Sequence, residues 1–211
     1  MILIITLGFD EKFALRAIFR HGLKANDKIL ILMPEKSDPR AEKAFSIIQQ
    51  IVGNSFPEVS IEKIYIPSQD FPKAVSVLRK LALNVLREGE KVILNISGGQ
   101  RIVILELLTG FLSVDARNVE VEIESEDSST MAIFPLEMMR KMDLDQEDIK
   151  ILEILAQSPK NFNQICLILN LSKSSVWRRL RKLMELGLIE KKEKTYQLTE
   201  LGYSRISQNQ L

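Results

Sequence analysis

The chain has 211 residues, 45% of them hydrophobic, and its 29 lysines and arginines nearly balance 28 acidic residues for a formal net charge of +1. That length suits one large or two small domains with buried cores. The single cysteine, Cys166, excludes an intramolecular disulfide and fits a reducing cytoplasm, and with only one histidine in the chain a metal-ligand set is not expected.

The opening stretch MILIITLGF lacks a basic flank and is too short for a signal peptide or a membrane span, so it reads as a strand. From there to about residue 134, strands and helices alternate. Residues 2–6, 28–33, 61–66 and 91–96 are short runs rich in Ile, Leu and Val. Three of the four are nearly continuous in apolar residues, the mark of parallel strands covered on both faces. Helical patterns lie between and after them over 10–21, 38–52, 71–87 and 100–114, with His21 at the end of the first, where a cation suits the carbonyl end of the helix dipole. The alternation predicts a doubly wound, mostly parallel α/β sheet with right-handed crossovers. The segment VEVEIE at 119–124 has one wet face and belongs toward a sheet edge, and a polar turn followed by 130–134 completes an antiparallel hairpin. Residues 1–134 thus form a first domain. Residues 135–144, with a proline and three methionines, form a linker, and 145–211 a second domain.

The second domain begins with helical patterns at 145–157 and 162–169, where Cys166 is expected buried among Ile165, Leu167 and Ile168. A turn at 170–172 leads into SKSSVWRRLRKLMELGLIEKKEKTYQL. Val176, Leu180, Leu183 and Met184 recur at helical spacing and are expected to be buried. The opposite face carries Ser174, Arg178, Arg181 and Lys182, with Lys173 and Trp177 toward its N-terminal edge. Gly187 ends the helix as a left-handed cap. Residues 188–189 start a strand, 191–194 make a polar tip, 195–198 return as a second strand, and 199–206 form a last short helix. A short helix, a turn and a second helix with one apolar and one basic stripe, then a β-wing, predict a winged helix-turn-helix on double-stranded DNA. Lys173, Ser174, Trp177 and Arg178 are expected at base edges and Arg179, Arg181, Lys191, Lys192 and Lys194 at phosphates, with Ser172, Ser175 and Lys182 completing the set. The other reading is a solvated basic face on an ordinary three-helix bundle. Charge favours the first: Lys160, Lys173, Arg178, Arg179, Arg181, Lys182, Lys191, Lys192, Lys194 and Arg205 face only Glu185, Glu190, Glu193 and Glu200 over 160–205, so the rest of the chain is slightly acidic.

In a doubly wound sheet, ligands bind beyond the carboxyl ends of the strands near the switch in strand order. Two loops there have binding chemistry: Thr6-Leu7-Gly8-Phe9-Asp10 after the first strand, and Asn95-Ile96-Ser97-Gly98-Gly99-Gln100-Arg101 after the fourth. Gly98 and Gly99 allow close backbone approach, and the helix start that follows favours an anion. Arg101 in a first helical turn opposes the dipole unless an external anion offsets it. Ser97 and Asn95 offer hydrogen bonds to a sugar or base, and Phe9 a stacking face. The other reading is a tight strand–helix turn with Arg101 in solvent. No GxGxxG or GxxxxGK[ST] is present, and no paired carboxylates, Ser–His arrangement or metal cluster marks an enzyme.

A strand ending T-x-G-F, a later strand ending N-x-SGG-Q-R, an edge hairpin and a C-terminal winged helix together resemble the CRISPR-associated Rossmann-fold (CARF) regulators of archaea. The resemblance implies a Rossmann-like domain that dimerises about a twofold axis and binds a cyclic oligoadenylate, with cyclic tetra-adenylate the expected ring, in a symmetric pocket. Its motifs map to Thr6, Leu7, Gly8, Phe9 and Asp10 and to Asn95, Ser97, Gly98, Gly99, Gln100 and Arg101. Gln100 and Arg101 stand where the family often has Thr or Ser and Lys, which keeps polarity and charge and leaves the ring size open. The implied function is a ligand-controlled, CRISPR-associated transcription regulator with no cofactor and no membrane partner. The alternatives are a ring nuclease acting on the same ligand and a regulator of the same build sensing an ordinary metabolite.

Overall fold

Five parallel strands carry the first half of the chain: β1 (Ile2–Thr6), β2 (Lys28–Pro34), β3 (Ser60–Ile66), β4 (Val92–Asn95) and β5 (Val119–Glu124), with β6 (Met131–Pro135) antiparallel to β5. The computed structural model describes residues 1–36 and 38–206. The chain divides into two units, Met1–Met139 and the part from Arg140 onward. None of the described helices is long and apolar enough to cross a membrane.

In the first unit the sheet order is β3-β2-β1-β4-β5-β6. The order reverses between β1 and β4, so the loops leaving those two strands open side by side at the carboxyl edge. Helices α1 (Lys12–His21), α2 (Pro39–Ser55), α3 (Phe71–Arg87) and α4 (Arg101–Leu112) cover both faces. Their ends follow local chemistry. Asp38 and Asp70 cap α2 and α3 by accepting from the Arg40 and Lys73 amides at 2.8 and 3.1 Å, each just before an early proline. The apolar strands hide a period of two. Ile2, Ile4, Leu30, Leu32, Val92 and Leu94 pack with Leu78 of α3 and Leu107 and Phe111 of α4. Leu3, Ile5, Ile29, Ile31 and Ile93 pack with Ala14 and Ile18 of α1 and Ala44 and Ile48 of α2. Gly110 lets α4 approach α3, since a Cβ there would stand 2.8 Å from that of Leu78. Beside this contact Glu106 is fully buried, and neither carboxylate oxygen finds a hydrogen-bond partner. Burial pushes its carboxyl above the usual range.

Strand β5 departs from expectation. The hairpin forms, and β6 is the edge, but the glutamate face of VEVEIE is not wet: Glu122 and Glu124 are buried. Helix α1 lies over them and supplies the compensating cations. Arg20 pairs with both Glu122 and Glu124, Arg16 pairs with Glu124, and His21 Nε2 is 2.6 Å from Glu122. His21 therefore meets a carboxylate on a neighbouring strand as well as a helix end.

The second unit holds α5 (Gln146–Gln157), α6 (Phe162–Leu169), α7 (Lys173–Glu185) and a one-turn α8 (Glu200–Tyr203), which is shorter than the predicted 199–206. Strands β8 (Ile189–Lys192) and β9 (Thr195–Leu198) form the wing hairpin, and a two-residue β7 (Lys160–Asn161), absent from the sequence reading, pairs with β9. Reciprocal capping boxes start α5 (Asp145 with Asp148) and α6 (Asn161 with Gln164). Asn170, at φ +52°, turns the chain from α6 into α7, and Gly187, at φ +71°, turns it from α7 into the wing. Ile151, Leu152, Leu155, Ile165, Val176, Leu180 and Leu183 are buried. Met184 is exposed, because its position on α7 falls past the edge of the buried stripe. Cys166 is half-buried rather than buried, and Leu167 is 80% exposed, since α6 is short and turns only Ile165 fully inward.

Candidate functional site

The loops after β1 and β4 enclose a cleft of about 320 Å³ walled by Leu7, Gly8, Phe9, Asp10, Ser97, Gly98, Gly99 and Gln100, together with Phe13, Pro34, Asp38, Ala41 and Glu126. Both sequence-predicted loops therefore meet, but their residues do different work. Thr6 is buried, and its hydroxyl donates to the Gly98 carbonyl at 2.5 Å, clamping one loop to the other. Gly99 has φ +90°, and a Cβ there would lie 2.9 Å from the Thr6 Cβ; at Gly98 it would lie 3.2 Å from the Thr6 carbonyl oxygen. The glycines thus let the two loops approach each other, a closer constraint than the approach of a ligand. Asn95 is buried, sits opposite Glu122 in register and donates to it at 2.9 Å, while its own oxygen accepts from the Ser97 amide at 3.3 Å. The Ser97 hydroxyl accepts from the Glu124 amide at 2.9 Å. A chain of contacts therefore runs from Arg20 and His21 through Glu122 and Asn95 to the loop. Burial alone would push the Glu122 carboxyl up, but His21, Arg20 and Asn95 outweigh it and hold it below the usual range.

The open side of the cleft is aromatic and acidic. Phe9 is half-exposed, and the Arg40 guanidinium lies 4.0 Å from its ring centre while bidentate on Asp38, both bonds at 3.0 Å. The Arg40 hydrogen bonds hold the Asp38 carboxyl below its usual range. Asp10 accepts from the Lys12 amide at 2.7 Å. Among the described lining residues there are three acids, Asp10, Asp38 and Glu126, and no lysine, arginine or histidine. Arg101 is exposed at the start of α4 and lies outside the lining; Gln100 caps that helix with no side-chain bond, so its first N–H groups meet no capping side chain. Asp38 and Glu126 escaped the sequence reading. Asp38 stands at the start of a helical pattern, where nothing in the sequence points to a cleft, and Glu126 reaches the cleft because the β5–β6 turn folds back to it.

In the second unit, Ser174, Arg178 and Arg181 are exposed on the face of α7 opposite Val176, Leu180 and Leu183, with Lys173 and Trp177 exposed nearer its edge. Trp177 is 56% exposed, with Arg181 5.7 Å from its ring centre, and Arg181 also pairs with Glu185 at 2.8 Å. Ser172 caps the helix, and its hydroxyl bonds those of Ser174 and Ser175 at 3.1 and 2.9 Å. On the wing, Lys191, Lys192 and Lys194 are exposed; Lys191 stands 5.8 Å from the Tyr196 ring centre and Lys192 pairs with Glu190 at 3.1 Å. Two of the expected DNA-contacting residues turn elsewhere: Arg179, read as a phosphate ligand, and Lys182. Arg179 bonds Asp145 at 2.6 and 2.7 Å and Asp148 at 2.8 Å, and Lys182 bonds Asp148 at 2.6 Å. The Arg179 guanidinium holds the Asp145 carboxyl below its usual range, and the same bond raises Arg179.

A Rossmann-like sheet with a cleft at its strand switch, followed by a winged helix-turn-helix, defines the class of two-domain DNA-binding regulators. The chain belongs to the family of the Csa3 CRISPR-associated Rossmann-like domain, which matches residues 1–135; residues 145–191 match the bacterial regulatory proteins of the ArsR family. A relative from Saccharolobus solfataricus, "CRISPR locus-related putative DNA-binding protein Csa3", is 24% identical over 97% of this chain and 87% of its own. Among solved structures, protein VC1899 from Vibrio cholerae is similar at 15% identity and a TM-score of 0.47 over 97% of this chain. Can2 from Sulfobacillus thermosulfidooxidans, solved in complex with cyclic tetra-adenylate, is similar at 13% identity and a TM-score of 0.43 over 96%. The chain spans less than two thirds of these two, 63% and 62% respectively.

Proposed function

We propose that this protein is a CRISPR-associated transcription regulator whose winged helix binds promoter DNA and whose Rossmann-like domain, as a homodimer, binds a cyclic oligoadenylate, cyclic tetra-adenylate first. The observation that carries the reading is α7, where Lys173, Ser174, Trp177, Arg178 and Arg181 are exposed on a helix anchored through its buried face and followed by a lysine-tipped wing. That is the arrangement that enters a major groove while the wing meets the backbone. Membership in a CRISPR-associated family supports CRISPR-associated genes as its targets.

The cleft supports the ligand. Its three carboxylates accept hydrogen bonds from base amino or ribose hydroxyl groups, Phe9 stacks, and the phosphates fall to Arg101 and the uncapped start of α4. A volume of about 320 Å³ sits at the low end of small-molecule pockets, roughly 300–1,000 Å³. It holds a nucleoside-sized group, so a four-nucleotide ring would span the clefts of two protomers. The exposed Ile102 and Leu105 of α4, beside Arg101, offer apolar surface for that pairing. Two reading heads would then match half-sites about 34 Å apart, and ligand would bias DNA affinity by its differential affinity for the two states. The proposal contains no catalytic step.

Titration calorimetry with a panel of cyclic oligoadenylates, alongside the mass in solution, tests this. The expected result is a dimer binding one ring with an affinity that Arg101→Ala weakens without loss of fold. No binding, a monomer, or one ring per protomer refutes the shared pocket.

A further inference from the structure

The acids beneath the recognition helix have a use beyond the helix start they occupy. Arg179 and Lys182 lie on the flank of α7 between its exposed face and its core, and both turn toward the start of α5. Arg179 Nη1 reaches both oxygens of Asp145 and one of Asp148, and Lys182 Nζ reaches the other Asp148 oxygen at 2.6 Å and the Asp143 carbonyl at 2.8 Å. Asp148 is fully buried. Capping does not require these charges: asparagine caps a helix as well as aspartate, and the bonds between each side chain and the other's amide, 2.9 and 3.3 Å, need only an oxygen. A buried ion pair is also a weak source of stability. What two carboxylates do here that two amides would not is neutralise two cations on a helix read as contacting DNA.

We infer that Asp145 and Asp148 are specificity-determining residues that stand in for DNA phosphates. They hold Arg179 and Lys182 off the backbone and so lower sequence-independent affinity, while Trp177 and Arg178 remain exposed to read bases. The inference rests on the reading of α7 as the DNA-contacting helix. Its physical basis is that each phosphate neutralised by a lysine or arginine strengthens binding to any sequence and steepens its salt dependence, by about 0.9 in the log–log slope. Masking two cations removes that contribution from every duplex alike and leaves base contacts a larger share of what remains.

The test is fluorescence anisotropy of the full chain on a duplex of arbitrary sequence over a range of salt concentrations, with circular dichroism to check the fold. Asp145→Asn/Asp148→Asn is expected to bind more tightly than the native protein, roughly tenfold at 0.1 M salt for each cation released, with a slope steeper by about one to two units. Lys182→Met in the otherwise native chain is expected to keep the native slope, because its ammonium is already neutralised. It serves as the deciding variant if the double substitution does not fold. A folded double variant with the native slope or a shallower one overturns the inference, as does a Lys182→Met slope lower by about one unit. A native protein that binds no duplex overturns the reading of α7 and the inference with it. Binding that depends on Arg178 and Lys191, with an unchanged slope in the neutralised variant, overturns the inference alone.

Discussion

Replacing Gly99 by alanine tests whether the glycine pair serves the joint between the two cleft loops. At φ +90° an L-residue adopts a disfavoured backbone, a cost of roughly 1–2 kcal/mol by analogy with left-handed residues. The new Cβ would also stand 2.9 Å from the Thr6 Cβ and 3.1 Å from its carbonyl carbon, both on a buried strand end with no flexible side chain to move aside. Overpacking of this kind costs about 1–3 kcal/mol. The sum, about 2–5 kcal/mol, is a large part of the ~5–15 kcal/mol that holds a domain folded. It should lower the melting temperature by roughly 10 °C or more. Gly98→Ala is the internal control: its φ is not positive, and the nearest atom to the new Cβ, the Thr6 carbonyl oxygen, is at 3.2 Å, so a loss of about 1 kcal/mol is expected. Thermal unfolding followed by circular dichroism reads both. Equal losses in the two variants, or a Gly99→Ala midpoint indistinguishable from the native one, would refute the reasoning that Thr6 and Gly99 form a packed joint.

Three further outcomes are expected. Glu106→Leu, which removes a buried carboxyl with no hydrogen-bond partner, should stabilise the protein at neutral pH by about 1–3 kcal/mol. Because the folded state raises this carboxyl, it contributes stability that is lost as pH rises above the ordinary glutamate value, and urea unfolding of the variant should lack that loss. Arg20→Met leaves the buried Glu122 short of a cation and should cost about 3–5 kcal/mol. Glu122 and Glu124 have lowered carboxyls in the fold, so their contribution is present above the ordinary glutamate value and lost as pH falls through the folded one; the variant's stability curve should be flatter on that acid limb. For DNA, Arg178→Ala should cost about 1–3 kcal/mol on the cognate site and relax its specificity, whereas Lys191→Ala should weaken all sequences alike and reduce the salt slope by about one unit, both by gel shift at several salt concentrations.

The alternation of apolar runs and helical patterns made the doubly wound sheet legible, because the central strands β1, β2 and β4 are buried on both faces and read as continuous apolar runs. The winged helix was legible for the same reason: the stripe of Val176, Leu180 and Leu183 and the stop at Gly187 are local signals. Pairings between distant segments were not. VEVEIE has the period of a strand with one wet face, and only the helix above it, carrying Arg16, Arg20 and His21, makes that face a buried one. Arg179 and Lys182 look like any other cations of a basic helix until Asp145 and Asp148 come from another helix to meet them. Both loops of the cleft were found from their glycines, yet the glycines' main contact, with Thr6, is set by the β1–β4 adjacency and has no trace in either loop alone. Asp38 and Glu126 enter the cleft by the same kind of tertiary approach.

The Ser97–Gly99 loop is held by the Thr6 hydroxyl, by the Asn95 side chain and by the Glu124 amide. A segment fixed this way before any partner arrives has little configurational freedom left to lose. Ordering an interface side chain on association otherwise costs about 0.5–1.5 kcal/mol each, so whatever enters this cleft keeps more of its contact energy as affinity. The same rigidity sets a limit. A guest whose shape differs from the cleft would find no adjustment in this loop, and any accommodation would fall to the residues around it, Phe9, Asp38 and Glu126.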